Sequence, residues 1–159
     1  MKKPSFGGGS GDKKRGSRVK LLVVVAAVAA IVIGLKFFGG SESDIVFTQL
    51  APDAIPQQIT SQVIPEYRDM ERALACVVDD KVYVLATRGE KPTTGYDIEI
   101  DSMELEDEDG KSKLIVNVLF TDPQAGASLT QETTYPYVVA ETDIAKLPDK
   151  IEMKIQYKE

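Results

Sequence analysis

Hydrophobic positions in this chain follow three rhythms. From Leu21 to Leu35 every residue is apolar or glycine, fifteen in a row, with Lys20 and Lys36 at the two ends. With Val19, Phe37 and Phe38 the stretch reaches twenty residues. As a helix that is about 30 Å, the thickness of a bilayer's hydrocarbon core. The second rhythm is helical: Tyr67, Met70, Leu74 and Val77 recur every three or four residues. It predicts a helix over about 65–75, with Pro65 in the first turn and Glu66 and Asp69 favouring that end. The third has a period of two and predicts strands. Candidates are Ile45 to Leu50, a hairpin of Ala75 to Val78 with Lys81 to Thr87, and a hairpin of Asp97 to Leu105 with Lys113 to Thr121. Thr134 to Glu141 and Lys150 to Tyr157 complete the set. The parity flips between Ile100 and Met103, which predicts a bulge. In the last strand Ile151, Met153, Ile155 and Tyr157 alternate with polar residues, one face for a core and one for water. The fold class expected is mainly β (α+β). It is an antiparallel sandwich or partly open barrel with one N-terminal helix, preceded by a single transmembrane helix.

Charge gives this layout a direction. Lys2, Lys3, Lys13, Lys14, Arg15, Arg18 and Lys20 precede the apolar run, against Asp12 alone. The positive-inside rule keeps such a flank in the cytoplasm. From Gly39 onward there are 24 acids and 11 bases, a net of −13 that the whole-chain −6 conceals. The organisation read from this is a basic cytoplasmic tail over 1–18, a signal-anchor helix over 19–38, a linker over 39–44 and an extracytoplasmic β domain over 45–159. A cleaved signal peptide is the competing reading. The long basic region and the lack of an A-x-A site disfavour it. The partner of 19–38 is the lipid bilayer. Ala26, Ala30 and Gly34, four residues apart, would let two such helices approach as a homodimer. Gly7 to Lys13 lacks the spacing of a phosphate loop and follows no strand.

Composition removes several chemistries. There is no histidine, so Ser-His and Cys-His catalysis and the usual catalytic zinc sites are excluded. The single cysteine, Cys76, has no partner within the chain and sits in an apolar run, the place of a small buried hydrophobe. Ala73-Leu74-Ala75-Cys76 resembles a lipoprotein box only in wording, far from the apolar segment. The acidic run Glu104 to Asp109 fails as a calcium loop. Leu105 stands where an oxygen donor is needed and Val116 where the closing acid belongs. Asp97, Glu99 and Asp101 alternate as the wet face of a strand, with no companion nucleophile. The sequence therefore points to no catalytic residue, no metal and no cofactor. The acidic domain repels phosphate, which argues against nucleic acid.

One segment stands apart. In Lys91-Pro92-Thr93-Thr94-Gly95-Tyr96, Pro92 fixes φ, Gly95 permits positive φ and the threonine hydroxyls bond backbone, a recipe for a rigid turn. Arg88 to Tyr96 resembles the glycine-rich signature of the PrcB C-terminal domain family. The rest of that pattern follows in a charged hairpin, Asp122-Pro123, Gln131 and Tyr135-Pro136-Tyr137. The resemblance covers roughly 81–157. It implies a non-catalytic subunit that associates with a surface protease and stabilises it. The candidate partner-binding residues are Lys91, Pro92, Thr93, Thr94, Gly95 and Tyr96, with Tyr135, Pro136 and Tyr137. The Pro92 to Tyr96 string is also similar to a loop of chagasin-type cysteine protease inhibitors, which implies insertion into a cleft as the alternative. That family has Asn before the proline and a later Arg-Pro-Trp loop. This chain has Lys91 and no tryptophan.

Overall fold

Two strands here are apolar on both faces, and their burial organises the rest. The computed structural model describes residues 23–25 and 43–159. In chain order the strands are β1 (Val23–Val25), β2 (Ser43–Asp44), β3 (Phe47–Gln49), β4 (Glu71–Val78), β5 (Lys81–Arg88), β6 (Asp97–Glu108), β7 (Lys111–Thr121), β8 (Tyr137–Thr142) and β9 (Lys150–Tyr157). They form one sheet ordered β1-β4-β5-β8-β3 and a second ordered β2-β6-β7-β9. The sheets share a core. Ala73, Ala75, Val82, Val84 and Ala86 of the first face Ile98, Met103, Val116, Phe120 and Met153 of the second. Leu74, Cys76, Val78, Tyr83, Leu85 and Val139 lie on the other face of the first sheet, beneath Ile55, Ile59, Val63 and Ile64. β4 and β5 thus lie in the middle of three layers, which is why they read as unbroken apolar runs.

The helical cover lies earlier in the chain than the expected 65–75. A π-helical stretch, Ile59–Val63, runs into α1, Ile64–Tyr67. Pro65 accounts for the widened turn. It has no N–H and its ring would strike the carbonyl four residues back in a regular helix. Ile64 N–H instead bonds the carbonyl of Ile59, five residues back. Leu74, expected on the helix, belongs to β4, and the strand begins at Glu71 rather than Ala75. Leu74 is pulled there by pairing with Leu85. Tertiary pairing overrides a helical spacing that rested on four residues.

Other boundaries moved for identifiable reasons. The predicted strand 45–50 shortens to β3, which pairs with β8, and Ser43–Asp44 of the expected linker pair with β6 as β2. The seven-residue loop expected between β6 and β7 shrinks to Asp109-Gly110, both at positive φ. Glu106 opposite Lys113 and Glu108 opposite Lys111 let the ladder continue to that turn. The bulge falls where parity predicted it, between Ile100 and Ser102. The sheets are not all antiparallel, because β9 runs parallel to β7. β8 lies in the other sheet, so the chain crosses over and back and re-enters beside β7 in the same direction.

The anchor expected over 19–38 lies outside the described residues except for Val23–Val25. These stand as a strand rather than a helix, Val23 opposite Cys76 and Val25 opposite Leu74. Three consecutive β-branched residues suit an extended edge partner. Among the described residues no helix is long and apolar enough to cross a membrane. The tail over 1–18 and the Ala26, Ala30, Gly34 face also lie outside the described residues.

Arg88, at the end of β5, ties the two sheets together. Its side chain is 2% exposed. Nη1 donates to the carbonyls of Asp97 (2.9 Å) and Thr121 (2.7 Å), at the ends of β6 and β7. Nη2 donates to the Asp122 carboxylate. The guanidinium carbon lies 4.4 Å from the Phe120 ring centre and 5.1 Å from that of Tyr96. A lysine offers one compact ammonium in place of two separated, coplanar NH2 groups, and cannot reproduce this fork. Arg88→Lys should therefore cost about 2–4 kcal/mol in denaturant unfolding, as the Asp97 and Thr121 carbonyls lose their charged donors. A loss under about 0.5 kcal/mol, within the range of ordinary surface substitutions, would remove Arg88 from this role.

Cys76 is fully buried, and burial pushes its thiol up to about 11. At pH 8 only about one thiol in a thousand would be thiolate. Iodoacetamide should leave the native chain unlabelled at pH 8 and modify it fully in denaturant. Rapid native labelling would contradict the packing of β4.

Candidate functional site

The end of the domain that Arg88 secures is built by two loops held together like a short ladder. Lys91 N–H donates to Thr134 O (2.8 Å) and Thr134 N–H returns to Lys91 O (2.9 Å). Thr134 Oγ1 donates to Thr93 O at 2.8 Å. Thr94 N–H donates to Thr130 O at 3.1 Å, and Thr130 N–H donates to Thr94 Oγ1 at 3.0 Å. Thr93 Oγ1 donates to Thr94 O at 2.9 Å. The threonines thus brace the turn, partly within it as expected and partly across to the segment between β7 and β8. That fifteen-residue segment has no regular structure of its own, and these bonds hold it against Lys91–Thr94.

Gly95 is required twice. Its φ is +95°, and a Cβ there would lie 2.8 Å from Leu129 Cδ2 and 3.1 Å from Pro123 Cβ. Gly89 also has positive φ, +79°, and a Cβ there would meet the Asp69 carbonyl at 3.4 Å. This close approach seats the loop against the turn that follows α1. Thr87 Oγ1 strengthens the seat by donating to Met70 O.

The aromatic candidates separate. Tyr135 is half-buried, and its hydroxyl donates to Glu90 Oε2 at 3.1 Å. That bond is the main reason its phenol titrates above the usual range. The Arg68 guanidinium stacks on the ring, 4.4 Å from its centre. Tyr96 is half-buried between Arg88 and Lys91, whose ammonium lies 5.7 Å from the ring centre. Pro136 accepts the Arg88 N–H at 3.0 Å. Tyr137 is different, because it packs against the cluster under α1 and so serves the core. The structure brings Lys91 to Tyr96 together with Tyr135 and Pro136 and leaves Tyr137 outside that surface. Pro92 and Gly95 are the exposed members of the turn.

Sequence reading passed over Arg68, Met70 and Glu90 as site residues. Arg68 and Met70 come from the turn after α1, and Met70 is 40% exposed. Neither has a motif, and only the fold carries them to the loop. Glu90 lay inside the quoted signature and was legible as a charged neighbour of Lys91. Among the described residues no cluster of acids and cysteine is arranged to hold a metal.

The family model described as PrcB C-terminal matches residues 82–143, from the second residue of β5 to just past β8. The match supports the resemblance of this stretch to the PrcB C-terminal family, and β9 lies beyond it. No curated protein and no solved structure matches the chain.

The bracing makes one substitution decisive. Gly95→Ala should destabilise the domain by about 1–3 kcal/mol, from the positive φ and the collision with Leu129. Loop amides such as Thr94 should lose hydrogen-exchange protection while those of β4 and β5 keep it. Unchanged protection at Thr94 would show that the turn does not depend on Gly95.

Proposed function

We propose that the chain is a membrane-tethered, non-catalytic binding module whose outer domain associates with a surface protease and stabilises it. The contact surface in this reading is the end formed by Lys91 to Tyr96, Tyr135 and Pro136, with Arg68 and Met70. The observation that carries it is the bracing of Lys91–Thr94 against Thr130–Thr134. A surface already ordered loses little entropy on binding. Tyr96 and Tyr135, each held against cations, are the residue type that dominates interface energetics. The family match supports the protease as partner class, and the missing histidine supports a role without catalysis. The apolar run and its basic flank support the bilayer tether, with the domain on the outer side. Thr93 and Thr94 are committed to the neighbouring loop. This supports a broad contact over the inhibitor reading, in which the Lys91 to Tyr96 loop enters a cleft.

Site-specific photocrosslinking on intact cells tests this reading. A photoreactive residue at Pro92 or Tyr135 should capture one protease. The same residue at Asp109, roughly 35–40 Å away along β6, should not. Deleting the chain should shorten that protease's lifetime at the surface. Equal capture from both ends, or none from either, would overturn the proposal.

A further inference from the structure

The two flanks of the domain are finished differently. On one, the chain from Ser43 to Gln49 crosses between the sheets as β2 and β3, and Ile45 N–H bonds Met103 O at 3.0 Å. On the other, β9 ends its sheet and carries Lys150, Glu152 and Lys154, charges that blunt an edge. β4 carries no charge from Ala73 to Val78, where its sequence is Ala-Leu-Ala-Cys-Val-Val.

The hairpin fixes which groups face outward. Asp79 and Asp80 both have positive φ, making a two-residue turn closed by Val78 and Lys81. That closing pair exchanges both hydrogen bonds, and the pattern alternates from there. Cys76 and Leu74 bond inward to β5, whereas Val77, Ala75 and Ala73 direct N–H and C=O away from it. Ala75 is the residue that Val24 faces. β1 therefore sits on the outward groups, and among the described residues it meets Leu74, Ala75 and Cys76 of β4's eight residues. It is also drawn from the apolar run. A helix over 19–38 would hold Val25 about 20 Å from the anchor's outer end. Val23–Val25 cannot be inside a bilayer and beside β4 together.

We propose that the outward edge of β4, Ala73 to Val77, is a strand-addition site. On the membrane-tethered chain its occupant is an extended, β-branched segment of the surface protein partner, added antiparallel as Val23–Val25 are. This rests on the binding-module reading and supplies it with a second, main-chain contact. Backbone bonds give such an addition its affinity, and alternate side chains give it selectivity.

The full-length chain in lipid nanodiscs provides the test, with a lysine-flanked peptide of alternating valine and threonine as the probe. Hydrogen exchange is followed at single amides. Saturating peptide should slow Ala73, Ala75 and Val77 at least tenfold and leave Leu74 and Cys76 unchanged. Val77→Pro, which removes one outward donor, should abolish the slowing while Leu74 and Cys76 stay protected. If that variant unfolds, the wild-type comparison decides alone. No slowing at saturation would overturn the proposal. So would outward amides already as protected as Leu74 in peptide-free nanodiscs, because the edge would then be filled. The peptide assay does not involve Pro92 or Tyr135. Failed crosslinking with successful peptide addition would remove the loop surface, and the reverse would remove the β4 edge.

Discussion

A single buried guanidinium sets the geometry of the functional end. Arg88 leaves β5 in one sheet and donates to carbonyls at the ends of β6 and β7 in the other. A sheet-to-sheet contact made of apolar side chains is tolerant of sliding. A forked donor with fixed acceptors is not. The same group reaches Asp122, where β7 gives way to the long connection, and its backbone N–H reaches Pro136, where that connection re-enters the sheet. Both ends of the fifteen-residue loop are thus referred to one residue. The threonine ladder then has only the middle of the loop to hold.

Burial is what makes this arrangement strong. Asp122 is 54% exposed, so the ion pair itself is partly screened by water. The carbonyls of Asp97 and Thr121 belong to strand ends beside a nearly inaccessible side chain. Leaving them without donors costs more than the Coulomb term returns. The Phe120 face beneath the guanidinium adds a contact that needs no solvent-exposed partner. Phe120 is itself fully buried and meets Tyr157 edge-on at 5.7 Å. The end of β9 is tied into the same cluster although it lies beyond the family match.

Much of this was legible in the sequence. The span of β9 was legible from alternation, although Tyr157, expected on the core face, is 63% exposed, and the bulge was legible from a break in alternation after Ile100. Gly95 was legible as a positive-φ position because proline and threonine around it left little else for the turn to be. The helix was misplaced because Leu74 suits both periods, and only its partner Leu85 decides. The parallel β9 was out of reach, since strand direction depends on a crossing between sheets that no local pattern records. Arg68 beside Tyr135 was likewise hidden, because 67 residues separate them in sequence and only the packing of α1 on the first sheet brings them together.

The two uses of the apolar run can be weighed. Leu21 to Leu35 contains ten leucine, isoleucine or valine residues. At roughly −0.3 to −0.6 kcal/mol each on the insertion scale, they favour the bilayer by about 3–6 kcal/mol. Pairing of Val24 with Ala75 offers two backbone bonds, about 1–3 kcal/mol net. Ordering three residues of backbone costs about 3–6 kcal/mol against that gain. If the chain is tethered as proposed, this balance favours insertion, and the edge of β4 would then be open to another strand. Among the described residues, both core clusters are assembled from residues between Ile45 and Ile155.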